Sequence, residues 1–364
     1  VVTPIQVKVR TGTRRTEYPI VIADRLTSSL GDHLDRLAPG AARVIVSSPL
    51  VWGHHGNAVT RAVPGAPVIL SADGERAKTL ATVTRLHEAL FEARADRRTI
   101  MLIVGGGVLG DLAGFAAATF LRGMPVVQVP TTVVAQVDSA IGGKVGVNHA
   151  RGKNLVGAFH PPLAVLTDPQ LLSTLPPREM QAGIYEVIKY GIIASARLFR
   201  RLEHDLERLL ARDTSVLVPV IAECTRIKAR VVSIDEHETG LRRILNFGHT
   251  LGHALEAVTR YRRFLHGEAV GWGMLAATDI ARARGDLDER TAERISRLIE
   301  RAGARPPVAD LSAEECAVAT RRDKKVVAGT LHFVVAEGIG RTRVASDVTE
   351  SELIRALKRL GLQP

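Results

Sequence analysis

Three fragments in the second half of the chain carry side chains suited to a metal centre. In Ala182-Gly-Ile-Tyr-Glu186-Val-Ile-Lys189, Glu186 and Lys189 stand at i,i+3, on one face of a helix. In Asn246-Phe-Gly-His249-Thr-Leu-Gly-His253, two imidazoles stand at i,i+4, a spacing compatible with metal ligation. His266-Gly-Glu268 then opens a further helix. Imidazoles with a carboxylate suit zinc with an open coordination position. Spacing alone selects His249 and His253 as the ligand pair, with Glu186, Glu256 and Glu268 competing for the carboxylate. The plainer reading makes one of these histidines a hydrogen-bonded core group.

The first half carries phosphate-type chemistry. Val104–Phe115, VGGGVLGDLAGF, follows an apolar strand and opens a helix. Its glycines let a backbone approach a phosphate, and the helix start supplies amide donors and a positive dipole end. The run is not a strict G-x-G-x-x-G, and such a turn is as often purely structural. Pro130-Thr131-Thr132 ends the next strand, where open α/β sheets bind ligands. Gly74-Glu75-x-x-Lys78 offers nucleotide contacts or, equally, a helix-surface ion pair. Asp138-Ser-Ala-Ile-Gly142-Gly143-Lys144 and Gly152-Lys153-Asn154-Leu-Val-Gly157 place two glycine-flanked lysines and an asparagine close together. Apolar residues between them favour an anion pocket with hydroxyl neighbours over an exposed loop.

These side chains need a scaffold, and the pattern supplies one. Ala42–Ser47, Pro67–Leu70, Thr99–Val104 and Val126–Pro130 are short, β-branched runs, separated by helical spacing in Ala77–Ala93 and Val108–Leu121. That alternation predicts a parallel sheet with covering helices. After about residue 175 the texture is helical: Glu179–Ile193, Ala196–Ala211, Val216–Ile234, Gly248–Val258, Gly267–Arg284, Glu289–Ala302 and Glu350–Leu360. Lys325–Ala328 and Leu331–Ala336 around Gly329 read as a small hairpin. The fold class is α/β plus α, with the joint between Pro161-Pro162 and Pro176-Pro177.

Composition excludes several classes. With 364 residues, 46% hydrophobic and 24% charged, the chain has the balance of one or two globular domains and not of a disordered one. No apolar run approaches the length of a membrane span, and the first residues do not form a secretory signal. Two cysteines, Cys224 and Cys316, cannot build a disulfide framework, so a cytoplasmic enzyme is expected. The net charge of +11 is spread along the chain, and aromatics are only 4%, which argues against nucleic acid and suits a small anionic substrate. Only 9 of the 49 basic residues are lysine. Seven of them (Lys78, Lys144, Lys153, Lys189, Lys228, Lys324 and Lys325) fall in the fragments read here, where a compact ammonium has a use.

The runs GGGVLGDLAGF, RGMPVVQVPTT, DSAIGGKVGVN, GKNLVGAFHPP, EVIKYG, NFGHTLGHALE, HGEAV and RRDKK, in this order from about residue 70 to 340, closely resemble the 3-dehydroquinate synthase family. The resemblance implies a Rossmann-like NAD-binding α/β domain over 1–172 and a mostly helical metal- and substrate-binding domain over 173–364. It also implies a homodimer with the active site in the cleft between domains. It makes Glu186, His249 and His266 the ligands of a zinc or cobalt ion, replacing the pair chosen from spacing, with His253 on the substrate side. The NAD contacts it implies are Glu75, Lys78, Gly106, Gly107, Asp111, Thr131, Thr132, Lys144, Lys153 and Thr174. For the substrate it implies Asp138, Lys144, Asn154, Lys189, Lys228, Arg242, Asn246 and His253, with Lys324 chosen over its neighbour Lys325. Arg122 is implied to reach the phosphate bound to a neighbouring subunit.

The implied reaction converts 3-deoxy-D-arabino-heptulosonate 7-phosphate to 3-dehydroquinate and phosphate. Similar cyclases make 2-deoxy-scyllo-inosose or epi-valiolone from substrates without a carboxylate. Arg242 and Lys228 as a carboxylate clamp favour the acid substrate. A cyclase of other specificity is the first alternative, a metal-dependent alcohol or glycerol dehydrogenase the second, and a non-catalytic binding protein the last. No nucleic-acid or membrane partner is expected.

Overall fold

The computed structural model describes residues 5–11, 16–238, 240–320, 326–327 and 330–364. In chain order the elements begin with β1 (Ile5–Thr11), β2 (Thr16–Ile22), α1 (Leu30–Leu37), β3 (Arg43–Ser47), α2 (Pro49–Ala62), β4 (Val68–Leu70) and α3 (Leu80–Glu92). They continue with β5 (Ile100–Gly105), α4 (Gly107–Thr119), β6 (Val126–Pro130), β7 (Lys144–His149), β8 (Gly152–Phe159), β9 (Ala164–Thr167), α5 (Pro177–Ala194), α6 (Ala196–Leu210) and α7 (Thr214–Ile234). The rest are α8 (His249–Val258), α9 (His266–Arg284), α10 (Glu289–Arg301), α11 (Ala313–Thr320), β10 (Val326–Val327), β11 (Thr330–Leu331), β12 (Phe333–Gly338), β13 (Arg341–Ala345) and α12 (Glu350–Arg359).

The chain divides into two compact units, Val1–Pro176 with Thr214–Glu236, and Pro177–Asp213 with His237–Pro364. The joint between them follows residue 176, and α7, although it comes later in sequence, belongs to the first unit. Among the described residues no helix is long and apolar enough to cross a membrane.

The first unit is built on a seven-stranded sheet of order β1-β2-β9-β6-β5-β3-β4, parallel except for β1. Its central strands, RVIVS, IMLIVG, VVQVP and AVLT, are almost wholly buried, as a sheet covered on both faces requires. Alternation divides them between two cores. Val44, Val46, Met101 and Ile103 pack with Val83 and Leu86 of α3 and Leu109 and Leu112 of α4. Ile45, Leu102 and Val104 pack with Leu30 and Leu34 of α1 and Val59 of α2. From β3 the chain moves outward to β4, and from β5 it moves the other way to β6. The crevice beyond the carboxyl ends of β3 and β5 is therefore the topological switch point, where open sheets bind dinucleotides. Gly106 stands there as the N-cap of α4.

The segment expected to be a pocket between Lys144 and Gly157 is an antiparallel hairpin, β7–β8. Gly146 faces Gly157, and a Cβ on Gly157 would lie 2.2 Å from the Val145 carbonyl oxygen, so the two strands meet where no side chain fits. The second unit is helical apart from short strand pairs. Parts of the hairpin expected around Gly329 (Lys325, Ala328 and Gly329 itself) lie outside the described residues. Val326–Val327 pairs with Thr330–Leu331, and the pairing of Phe333–Gly338 with Arg341–Ala345 forms a further hairpin beyond the one expected.

Candidate active site

In the second unit, α5 supplies Glu186, α8 supplies His249 and α9 supplies His266. Glu186 is fully buried. Its Oε2 accepts from the equally buried Lys189 ammonium, while Oε1 has no hydrogen-bond partner. That orphan oxygen lies 3.5 Å from His249 Nε2 and 3.7 Å from His266 Nε2. An unsatisfied buried carboxylate oxygen is costly; neither imidazole nitrogen hydrogen-bonds it, and a cation held among the three would satisfy it. Ligand atoms about 2.0–2.1 Å from a tetrahedral zinc lie about 3.3 Å from one another. The observed separations fit that arrangement within a few tenths of an ångström, and a three-ligand set leaves a fourth position open.

The hydrogen bonds behind these candidate ligands agree with this. His249 Nδ1 lies 3.1 Å from the Phe247 carbonyl oxygen and His266 Nδ1 lies 3.2 Å from Glu256 Oε2. With Nδ1–H donating in both, each Nε2 presents its lone pair. Burial works to lower the His266 pKa, but the Glu256 hydrogen bond and the charges of Glu256 and Glu186 outweigh it and hold the group above the usual imidazole value. The three carboxylates that spacing left in competition now separate. Glu268 accepts two bonds from Arg178, at 2.6 and 2.8 Å, and caps the start of α9 through the Leu265 amide at 2.8 Å. Glu256 serves His266, and Glu186 keeps a free oxygen. The ligating atoms of His253, Glu256 and His266 also lie within 4.8 Å of one another, a second group that shares His266 with the first.

Glycines bring the three helices close enough. A Cβ on Gly267, next to His266, would lie 1.8 Å from the Ala182 carbonyl oxygen, one turn before Glu186. A Cβ on Gly273 would lie 1.8 Å from the Gly248 carbonyl oxygen, and one on Gly252 would lie 3.0 Å from the Ala269 carbonyl oxygen. The backbones of α5, α8 and α9 are thus in direct contact beside the ligands. Asn246 donates to Glu238 at 2.5 Å, and Arg242, in the same turn (Leu241–Asn246), is buried.

The first unit gathers a polar network. The buried Lys78 ammonium donates to Asp111 Oδ2 at 2.6 Å and to Asn154 Oδ1. Asn154 sits in the left-handed region, φ 53°, and its backbone N–H donates to Asn148 Oδ1 at 2.9 Å. Asn148 in turn donates to Glu75 Oε1 at 2.7 Å, and Lys153 lies 4.0 Å from the same oxygen. Burial pushes the Asp111 carboxyl above its usual range, against the pull of Lys78. At the switch point, a Cβ on Gly106 would lie 3.0 Å from Thr132 Cγ2 and one on Gly107 would lie 2.5 Å from Ser139 Oγ, a buried hydroxyl oxygen without a partner.

The remaining predicted residues are more dispersed. Thr131 is buried, its amide bonded to the Gly105 carbonyl at 3.0 Å, and the Thr132 hydroxyl accepts from the Ala135 amide at 3.2 Å. Thr174 bonds His55 at 2.9 Å and has no bond to the Lys78 network. Asp138, in a widened helical turn (Ala135–Ser139), accepts from Lys228 at 2.6 Å. Lys144 is exposed at the start of β7. Arg122 is exposed between Leu121 (φ 49°) and Gly123 (φ 119°), itself at φ 70°, with no side-chain partner among the described residues. Lys324 and Lys325 lie outside the described residues. Asn148, which closes the DSAIGGKVGVN run, is not among the residues predicted from sequence, and Glu256 enters there only as a candidate direct ligand.

Comparison with known proteins agrees across the chain. Residues 68–182 match the family model 3-dehydroquinate synthase N-terminal, and 183–326 match 3-dehydroquinate synthase C-terminal. A protein of Koribacter versatilis named 3-dehydroquinate synthase is 47% identical over 349 residues, covering 94% of this chain and 95% of that one. The structure of a 2-epi-5-epi-valiolone synthase from Streptomyces hygroscopicus, with NAD+ and Zn2+ bound, superposes with a TM-score of 0.87 at 29% identity, covering 96% and 98% of the two chains. A 2-deoxy-scyllo-inosose synthase complexed with carbaglucose-6-phosphate, NAD+ and Co2+ gives 0.84 at 26%, covering 98% and 99%.

Proposed function

The chain belongs to the 3-dehydroquinate synthase family, and from that premise we propose that it cyclises 3-deoxy-D-arabino-heptulosonate 7-phosphate to 3-dehydroquinate with release of phosphate. The observation that carries the site assignment is the orphaned, buried Glu186 Oε1 facing His249 Nε2 and His266 Nε2. Glu186, His249 and His266 hold a divalent ion, zinc or cobalt. Glu75, Lys78, Asp111 and Lys153, with Gly106, Gly107, Thr131, Thr132, Lys144 and Thr174, hold NAD. When bound, the ion would supply Lewis acidity toward a substrate hydroxyl and the dinucleotide a reversible hydride acceptor, consistent with a redox-neutral net reaction.

The chain's own side chains bind and orient. Arg242 and Lys228 pair with the substrate carboxylate, a charge-assisted contact that substrates lacking the acid would not reward. Lys144, Asn154 and Lys324 hold the phosphate, and Asp138, Lys189, Asn246 and His253 hold the hydroxyls. The substrate phosphate itself serves as the base, so the reaction needs no dedicated protein base. Arg122, on its left-handed turn, contributes to the phosphate site of a second copy, so the working unit is a homodimer. Orientation by these contacts replaces collision in the closure of the ring.

Metal content of purified variants tests the ligand set. Glu186→Gln, His249→Ala and His266→Ala lose the ion, and His253→Ala keeps it. Because His266 serves both candidate groups, Glu186 and His249 are the deciding positions. Full occupancy in either variant contradicts the assignment.

A further inference from the structure

His266 is held from both sides. Its Nε2 faces Glu186, and its Nδ1 lies 3.2 Å from Oε2 of Glu256, a carboxylate 4% exposed on the inner face of α8. Glu256 lies three residues after His253, and its backbone carbonyl accepts from the Tyr261 amide at 2.7 Å, which ties the end of α8 to the turn leading into α9. Burying a carboxylate without a partner is strongly unfavourable, so its placement on an imidazole N–H has a use. We propose that Glu256 is a positioning residue for the metal centre: it takes the Nδ1–H of His266, fixes the tautomer whose Nε2 lone pair points at Glu186, and makes that nitrogen a stronger donor to the ion.

The alternative geometry makes Glu256 a ligand itself, with His253 and His266. It is disfavoured by the hydrogen bond. An oxygen that close to a ring N–H is occupied by that proton, whereas Glu186 Oε1 accepts from nothing. The two other carboxylates of the cluster are excluded as positioning groups. Glu186 Oε2 is taken by Lys189, and Glu268 is locked to Arg178 and the α9 cap. Loss of a carboxylate behind a metal-bound imidazole typically costs about 10–100-fold in metal affinity.

This inference rests on the ligand set proposed above, and the experiment separates the two. Zinc affinity is measured by chelator competition for wild type, Glu256→Gln, Glu256→Ala and Glu186→Gln, together with melting of each metal-free protein and the visible absorption of each cobalt-loaded one. The expected result is a roughly 10–100-fold loss of zinc affinity in Glu256→Ala and a smaller loss in Glu256→Gln, whose amide oxygen still accepts the Nδ1–H. The cobalt spectrum keeps its coordination pattern in Glu256→Gln, and its metal-free melting temperature stays close to that of wild type. Glu186→Gln loses the ion altogether. If Glu256→Ala fails to fold, Glu256→Gln alone decides. Wild-type zinc affinity in Glu256→Gln beside a metal-free Glu186→Gln overturns the positioning role and spares the ligand set. A Glu256→Gln protein that changes its cobalt coordination while Glu186→Gln retains zinc overturns both, because Glu256 is then a ligand.

Discussion

Replacing Gly267 with alanine should dismantle the metal centre without touching a ligand. The new Cβ would stand 1.8 Å from the Ala182 carbonyl oxygen, whereas a carbon–oxygen contact needs about 3.3 Å. Both atoms belong to helical backbone or are bonded to it, so no flexible side chain can give way. The faces of α5 and α9 must part by roughly 1.5 Å. Gly267 adjoins His266, and Ala182 lies one turn before Glu186, so the displacement falls directly on the gap between two of the proposed ligands. Metal–ligand distances tolerate about 0.2 Å. The substitution therefore costs more than about 100-fold in zinc affinity, beyond what loss of a supporting hydrogen bond does. Overpacking itself costs about 1–3 kcal/mol, which lowers the metal-free melting temperature by roughly 2–12 °C for a unit of this size. The assay is chelator competition with melting curves in the presence and absence of zinc. Gly53→Ala is the control: it lies exposed within α2, its Cβ would meet nothing within 4 Å, and it should gain up to about 1 kcal/mol with zinc affinity unchanged. A folded Gly267→Ala protein with wild-type zinc affinity would refute the claim that helix contact sets the ligand geometry.

Other outcomes follow from other parts of the molecule. Mixing inactive Arg122→Ala with inactive Glu186→Gln protein, under conditions where subunits exchange, should restore activity because some mixed dimers hold one intact site; exchange without recovery counts against a role in trans. Lys78→Met should destabilise the first unit by roughly 3–5 kcal/mol by leaving Asp111 unpaired. Adding Asp111→Leu should recover most of that stability but not NAD affinity, read by urea unfolding and NAD titration. The Glu352 carboxyl is held down to about 2 from 4.5, chiefly by the Arg284 hydrogen bond. A depressed carboxylate stabilises above its unfolded value and loses that contribution as pH falls through the folded one. Glu352→Gln should thus be less stable than wild type at pH 7, and the difference should shrink between pH 4.5 and about 2 in denaturant titrations.

The parts of this fold legible in the sequence are those with a local cause. The runs RVIVS, IMLIVG and VVQVP announce a buried parallel sheet because they are short and rich in β-branched residues, with Gln128 the one polar residue inside them, and the glycine turn after β5 marks the switch point because a helix start follows it. The hairpin of β7 and β8 was hidden, since glycines, a lysine and an asparagine occupy positions that β-branched residues usually fill. Spacing alone pairs His249 with His253, which share one helix, α8. His266, of the proposed ligand set, stands on another helix, and the glycine-lined packing of α8 on α9 brings its ring centroid within 5.1 Å of that of His249. The assignment of α7 to the first unit was likewise invisible, because Lys228 meets Asp138 through tertiary packing and not through neighbouring sequence. The Lys78–Asp111–Asn154–Asn148–Glu75 network draws on three separate segments, so resemblance names Glu75, Lys78, Asp111 and Asn154 singly, while Asn148 and the bonds that join them come only from the structure.

The central claim is a redox-neutral cyclisation in which the dinucleotide is used and returned within each turnover. It is tested most directly by supplying excess 3-deoxy-D-arabino-heptulosonate 7-phosphate with limiting NAD and following inorganic phosphate and NADH absorbance together. The account predicts phosphate accumulating many times beyond the NAD supplied, without matching growth of NADH at steady state. NADH rising in step with substrate consumed, and stopping when NAD is exhausted, would contradict it and make this an ordinary dehydrogenase.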